Sequence, residues 1–198
     1  MAVIGMVAAA ASAHAGSGGI NTSGGGGGGS SGSCPDQRLG SRSLRMGDCG
    51  DDVKTLHWIL RSDSLRVPMD KEFDGVTDSS VRRFQHRHRV RANGVVGKAT
   101  RKKIIHSMPN AVATWYGPGF FGKRTACGKR LRRSTIGVAH RRLRCGTKVT
   151  LKYRGRYVRA KVIDRGPYTR GVRWDLTRAT ARRLHLTTTS RIRAAPIK

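Results

Sequence analysis

Val162-Ile163-Asp164-Arg165-Gly166-Pro167-Tyr168 closes an alternating run, and Arg173-Trp174-Asp175-Leu176-Thr177 follows it, placing Asp175 eleven residues after Asp164. From Ala111 to Lys198 these are the only two acids, against twenty-four Lys and Arg. Both aspartates are expected where a strand ends or a helix begins. Carboxylates so placed are candidates for general acid and base work on glycosidic bonds. The competing role is to cap a turn and neutralise nearby arginines.

The pattern around this stretch is that of short strands. Lys148 to Tyr153 alternates, with Val149, Leu151 and Tyr153 on one side. Arg154-Gly155-Arg156 is a tight turn. Tyr157 to Ile163 alternates again, with Val158, Ala160 and Val162 opposed to Tyr157, Arg159 and Lys161. Ala113 to Tyr116, Thr135 to His140 and Thr188 to Ile197 read as further strands. Thr177 is expected to cap one helix that closes near His185. Many short strands with one helix predict a small barrel.

The preceding part is different. Val53, Leu56, Ile59 and Leu60 form one apolar helical face, with Asp51 and Asp52 placed to cap it. Phe73-Asp74-Gly75 is a turn, and Thr77 or Asp78 is expected to start a second helix through Val81, Phe84 and Gln85. After the turn Asn93-Gly94-Val95-Val96-Gly97, Lys98 to His106 is a third. His86 and His88 are i, i+2 and fall on different helix faces. With His57 they are expected to be solvent-exposed rather than metal ligands.

The expected organisation is a signal-like segment 1–15, a Gly/Ser-rich disordered linker 16–33, a helical domain 34–107, a hinge 108–112 and a barrel 113–198. Met1 to Ala15 is apolar and ends Ala13-His14-Ala15, a cleavage-site pattern without a basic leader. The linker holds six consecutive glycines, Gly24 to Gly29. No stretch is long and apolar enough to span a bilayer. Four cysteines allow three pairings; proximity suggests Cys34 with Cys49 and Cys127 with Cys145, which implies an oxidising setting outside the cytoplasm. The net charge of +29 over 198 residues predicts a polyanionic partner without choosing among nucleic acid, anionic wall polymer and acidic membrane.

Two resemblances narrow this. Leu44-Arg45-x-Gly47, Gly50-Asp51-Asp52-Val53-x-x-Leu56, Phe73-Asp74-Gly75, Val81-x-x-Phe84-Gln85 and Asn93 to Gly97 with Thr100 resemble the peptidoglycan-binding domain 1 family. That resemblance implies a three-helix wall-binding module. Ala113 to Ala126, Gly137-Val138-Ala139-His140-Arg141 with Gly146-Thr147, Ile163 to Tyr168, and Asp175-Leu176-Thr177 with Ala179 and Ala181 resemble the rare lipoprotein A-like double-psi β-barrel, a fold shared with expansins. The implied fold is multidomain α plus β: a small three-helix module, then a six-stranded double-psi barrel.

The second resemblance implies a lytic transglycosylase. Such enzymes cleave the bond from N-acetylmuramic acid to N-acetylglucosamine through attack by the muramyl C6 hydroxyl, leaving a 1,6-anhydro end. One carboxyl can serve as acid and then base, because the nucleophile is internal. Asp164 is the expected carboxyl and Asp175 the second candidate. His140 is expected to hydrogen-bond the sugar or a carboxyl. Trp115, Tyr116, Thr125 and Tyr168 are expected to bind substrate. Where family enzymes carry Glu after Thr-Ala-x-Gly, this sequence has Lys129 after Thr125-Ala126-Cys127-Gly128. That departure suits an alternative, a non-catalytic expansin-like wall-binding protein. No metal or cofactor is implied. The expected partners are peptidoglycan glycan strands and anionic wall polymers rather than nucleic acid or membrane, for a secreted monomer.

Overall fold

The computed structural model describes residues 34–198; the signal-like segment and the Gly/Ser linker lie outside the described residues. Three helices come first: α1 Asp51–Ser62, α2 Gly75–Arg87 and α3 Lys98–Ser107. Their apolar stripes meet in one core that includes Leu44, Val53, Leu56, Phe73, Val81, Phe84 and Ile104. The Cys34–Cys49 bridge ties the entering strand of chain to the start of α1.

Several local details differ from the sequence expectation. Helix α2 starts at Gly75, because the Asp74 side chain accepts the Thr77 N–H at 2.7 Å and is the cap. Neither Asp51 nor Asp52 caps α1; Gly50 stands at that position, and buried Asp52 instead pairs with Arg42 Nε at 2.9 Å. His57 is buried, not exposed. It points between α1 and α2, where its Nε2 lies 2.9 Å from Thr77 Oγ1. His88 is half-buried because it stacks on Phe84 one turn earlier, while His86 is exposed.

Six strands follow: β1 Asn110–Tyr116, β2 Val138–Ala139, β3 Lys148–Tyr153, β4 Arg156–Asp164, β5 Val172–Thr177 and β6 Ser190–Pro196. They close into a barrel in the order β1-β5-β2-β4-β3-β6. The pairs β1–β5 and β2–β4 are parallel and the other four antiparallel. Pairing to β6 begins at Asn110, inside the stretch 108–112 read as a hinge. Alternation puts Val149, Leu151, Val158, Ala160 and Val162 into the barrel core with Trp174 and Leu176. Thr177 caps helix α4, Arg178–Leu184, which ends at His185 in the left-handed region. The run Thr135 to His140 yields only the two-residue β2.

The helical module and the barrel pack together. Ala195 of β6 joins the helical core, and Tyr157 of β4 lies against it. Arg193 donates to the Met108 carbonyl at 2.8 Å, and Arg61 to the Lys198 carbonyl at 3.1 Å.

One knot aligns three elements of the barrel. Gly137 donates its N–H to Thr180 Oγ1 at 3.0 Å, and its carbonyl accepts the same hydroxyl at 2.9 Å. Thr177 Oγ1 donates to the Thr135 carbonyl at 2.7 Å. A Cβ at Gly137 would overlap Ile163, meeting Cγ1 at 2.6 Å and Cδ1 still closer. Ile163 is buried and cannot swing away. Gly137→Ala is therefore expected to cost about 1–3 kcal/mol. A urea midpoint that stays unchanged would show that the backbone here yields freely.

Candidate functional site

Strand register builds the site. Ala139 on β2 pairs with Asp175 on β5 and with Asp164 on β4, after an irregularity between Val138 and Ala139 that resets the facing of β4. Thr114 on β1 pairs with Asp175 from the other side. Thr114, Asp175, Ala139 and Asp164 thus form one row across four strands. Directly paired residues share a face, so both carboxylates project the same way. Two strand spacings put their backbones about 9–10 Å apart. The small Ala139 side chain lies between them and is buried.

Tyr116 lies two residues beyond Thr114 on the same face. Its hydroxyl is shielded from solvent and has no hydrogen-bond partner at standard geometry. Burial, then the charges of Asp164 and Asp175, raise its pKa above the ordinary phenol value. The phenol is a protonated donor beside two carboxylates.

The two acids are held differently. Asp164 Oδ1 accepts the N–H groups of Ala126 at 2.8 Å and Arg165 at 2.9 Å. Asp175 is half-buried, as Asp164 is, but its Oδ1 is shielded from solvent and has no donor. Burial first, then the Asp164 charge, pushes its pKa up to about 6. The seven ion pairs among the described residues all lie in the helical module. No Lys or Arg of the barrel pairs with either aspartate. Arg165 turns away, donating to the Leu143 carbonyl at 2.8 Å. The turn-cap role fits Asp164 in part; charge neutralisation fits neither.

The loop over Asp164 is fixed covalently. The Cys127–Cys145 bridge joins it to the segment before β3, and Cys127 N–H reaches the Ile163 carbonyl at 3.3 Å. Thr125 is buried and its hydroxyl accepts the Lys129 N–H at 3.2 Å, so it holds this turn. The Lys129 side chain is exposed. Tyr168 stands 80% exposed on the loop after Asp164. That loop contains a cis Gly166–Pro167 bond and is held by Arg141, which donates to the carbonyls of Pro167 and of Thr169, the latter at 2.9 Å.

Two expected site residues are placed elsewhere. His140 follows Ala139 and faces the opposite way, 4.5 Å from the Trp174 ring. Its Nδ1 accepts the N–H groups of Arg142 at 3.2 Å and Leu143 at 3.1 Å, so the proton sits on Nε2. Burial first, then Arg173, Arg165 and Arg141, lower its pKa; no carboxylate contributes. Trp115 likewise points away from Tyr116 and donates to the Thr187 carbonyl at 3.0 Å. It lines a separate apolar hollow with Arg178, Ala181 and Leu186.

One residue was missed. Phe120 is 53% exposed and meets Tyr116 edge-on at 6.0 Å. Lys123 lies 5.6 Å from its ring centre. An aromatic following Gly117-Pro118-Gly119, a turn with no core to enter, was the available signal. Among the described residues no cluster of three or more His, Cys, Asp or Glu could hold a metal ion.

These features define a closed double-psi β-barrel with two unpaired aspartates on one face, carried behind a three-helix module. Comparison with known proteins agrees. Residues 109–197 match the family model described as "Lytic transglycolase", and residues 49–104 match a peptidoglycan binding domain model. The chain thus carries a module of the peptidoglycan binding domain family followed by a rare lipoprotein A-like double-psi barrel. It is 43% identical over 94 residues to the Synechocystis sp. protein named "Probable endolytic peptidoglycan transglycosylase RlpA", covering 46% of this chain and 28% of that one. An Aquifex aeolicus protein of the same name is 46% identical over 74 residues, covering 36% and 33%. The Campylobacter jejuni "Endolytic peptidoglycan transglycosylase RlpA" is 35% identical over 79 residues, covering 39% and 29%. The chain spans about a third or less of the length of these curated relatives.

Proposed function

We propose that this protein binds peptidoglycan in the cell wall, outside the cytoplasm, and cleaves its glycan strands as a lytic transglycosylase. The helical unit 34–107 holds the wall and the barrel unit 113–198 carries the chemistry. The observation that carries this reading is the pair of aspartates, free of ion pairs in a barrel with twenty-four cations, one of them kept protonated up to about pH 6.

The roles follow from the environments. Asp175 donates its proton to the leaving oxygen as the muramyl C1–O bond breaks. The resulting carboxylate then takes the proton of the C6 hydroxyl as its oxygen bonds to C1. No water is consumed, and Asp175 ends protonated as it began. Asp164, ionised, stabilises positive charge developing at C1. Tyr116 donates a hydrogen bond within the same site. Phe120 and Tyr168 offer exposed faces to sugar rings. The sequence favoured Asp164 as the acid; the enclosure of Asp175 favours exchanging the two roles. His140 acts, in this reading, by fixing the chain after Ala139.

Exposed Lys129, where the resemblance leads one to expect Glu, favours a second reading: an expansin-like protein that binds the same strands and cuts nothing. Mass spectrometry of fragments released from purified peptidoglycan separates the two. Anhydro-muramyl ends are the expected product. Reducing ends would mean hydrolysis, with water in place of the C6 hydroxyl. Tight pelleting with the wall and no release would leave the binder.

A further inference from the structure

A second cleft lies where α1 meets the barrel, and neither aspartate lines it. One part, of about 250 Å³, is bounded by residues 36–39, α1, the β3–β4 hairpin and α4; a second, of about 440 Å³, shares Lys54, Trp58, Tyr157 and Arg183 with it. Neither domain forms this cleft alone. Trp58 and Tyr157 are both half-buried, so each keeps part of its ring toward solvent. Arg159 lies 5.2 Å from the Trp58 ring centre, and the Trp58 Nε1–H has no acceptor. Burial lifts the Tyr157 pKa to about 12, so its hydroxyl remains a donor.

Charge gives the cleft its direction. Lys54, Arg156, Arg159 and Arg183 line it, and none has a carboxylate within ion-pair distance among the described residues. Of its two acids, Asp51 is held by Lys71 at 2.7 Å, which leaves Asp36 at one end. Cations that gather without partners repel one another, and an anion among them relieves that repulsion. A guanidinium stacked on an indole keeps its N–H fork free for an oxyanion. Aromatic faces beside such donors suit the apolar face of a sugar ring.

We propose that this seam is a second saccharide-binding site, specific for sugar residues bearing a carboxylate or a phosphate, and that its ligand bridges the helical module and the barrel. The site rests on the wall-binding part of the function above and not on cleavage. A glycan held here lies along both domains while another segment occupies the aspartate face.

Binding is measured by calorimetry at fixed ionic strength on the Asp175→Asn protein, so that turnover plays no part. The probes are glycan strands stripped of stem peptides, which carry carboxylates, and dextran phosphate, with neutral dextran for comparison. Lys54→Gln/Arg183→Gln is expected to weaken the preferred probe about tenfold or more, while the remote pair Arg91→Gln/Lys102→Gln weakens it less than about threefold. Hydrogen exchange should show ligand protection in 54–58 and 156–159 together. Preference for stripped glycan assigns the carboxylate source and preference for dextran phosphate the phosphate source. Equal losses in the two variant pairs, equal binding of neutral dextran, or protection confined to residues around Asp164 and Asp175 would each overturn the site. Loss of the transglycosylase reading would leave all these measurements standing.

Discussion

Asp175→Asn abolishes release of anhydro-muramyl fragments, with a rate about 10²–10⁴ lower than wild type, while binding to the wall is kept. General acid catalysis by a positioned side chain contributes about that factor. An amide fills the same space on β5 but has no proton to give at an acidic oxygen. The same variant carries a second signature in stability. The folded Asp175 pKa of about 6 lies above its ordinary value of 3.8, so the folded state prefers the neutral form. Its contribution is fully present below pH 4 and is lost as pH rises toward and through 6. Above that, wild type carries a partly buried charge beside the Asp164 carboxylate, and the amide does not. After allowance for solvent screening, Asp175→Asn should be about 1–2 kcal/mol more stable than wild type at pH 8, with no such gain at pH 3.5. Urea midpoints at the two pH values check this. Undiminished cleavage, or a stability difference independent of pH, would remove Asp175 from the acid role.

The sequence made the barrel's hairpin plain and said little about how the other strands pair. Lys148–Tyr153 and Tyr157–Ile163 alternate over enough residues to fix β3, β4 and their inward faces. Strand β5 alternates as well, with Val172, Trp174 and Leu176 against Arg173, Asp175 and Thr177, but it went unread as a strand, and its parallel partner β1 lies some sixty residues earlier. Strand β2 is two residues long and exists only because β4 and β5 flank it. The facing of site residues depends on these pairings. A shift of one residue reverses a side chain's face. His140 and Trp115, adjacent in sequence to Ala139 and Tyr116, therefore end up away from the aspartates. Asp164 and Asp175 were visible as lone acids in a basic segment, but the division of roles between them was not. It comes from the burial of Asp175 and from the facing set by Ala139, neither of which local spacing encodes. In the helical module, charged residues at a helix start suggested caps at Asp51 and Asp52, but the Arg42 guanidinium claims Asp52 from ten residues away.

Asp164→Asn is expected to reduce cleavage about 10²–10³-fold and to move what remains toward acid pH. The amide oxygen can still accept the Ala126 and Arg165 N–H groups, so the loop tied by Cys127–Cys145 keeps its place. What is lost is negative charge. That charge has two effects: it stabilises the sugar cation and raises the Asp175 pKa. Without it Asp175 gives up its proton at lower pH, and the alkaline limb of the pH–rate profile, near 6 in wild type, shifts downward. The two aspartate variants therefore fail in different ways. Asp175→Asn should lack that limb in any residual activity, because the titrating group is gone. Asp164→Asn should keep it and displace it. Single-turnover rates on stripped glycan from pH 4 to 8 distinguish the cases. If the limb stays in place in Asp164→Asn while the rate falls, the two carboxyls do not sense one another, and burial alone sets the acidity of Asp175. If Asp164→Asn loses the limb and Asp175→Asn keeps it, the assignment of donor and stabiliser is reversed, and Asp164 is the acid.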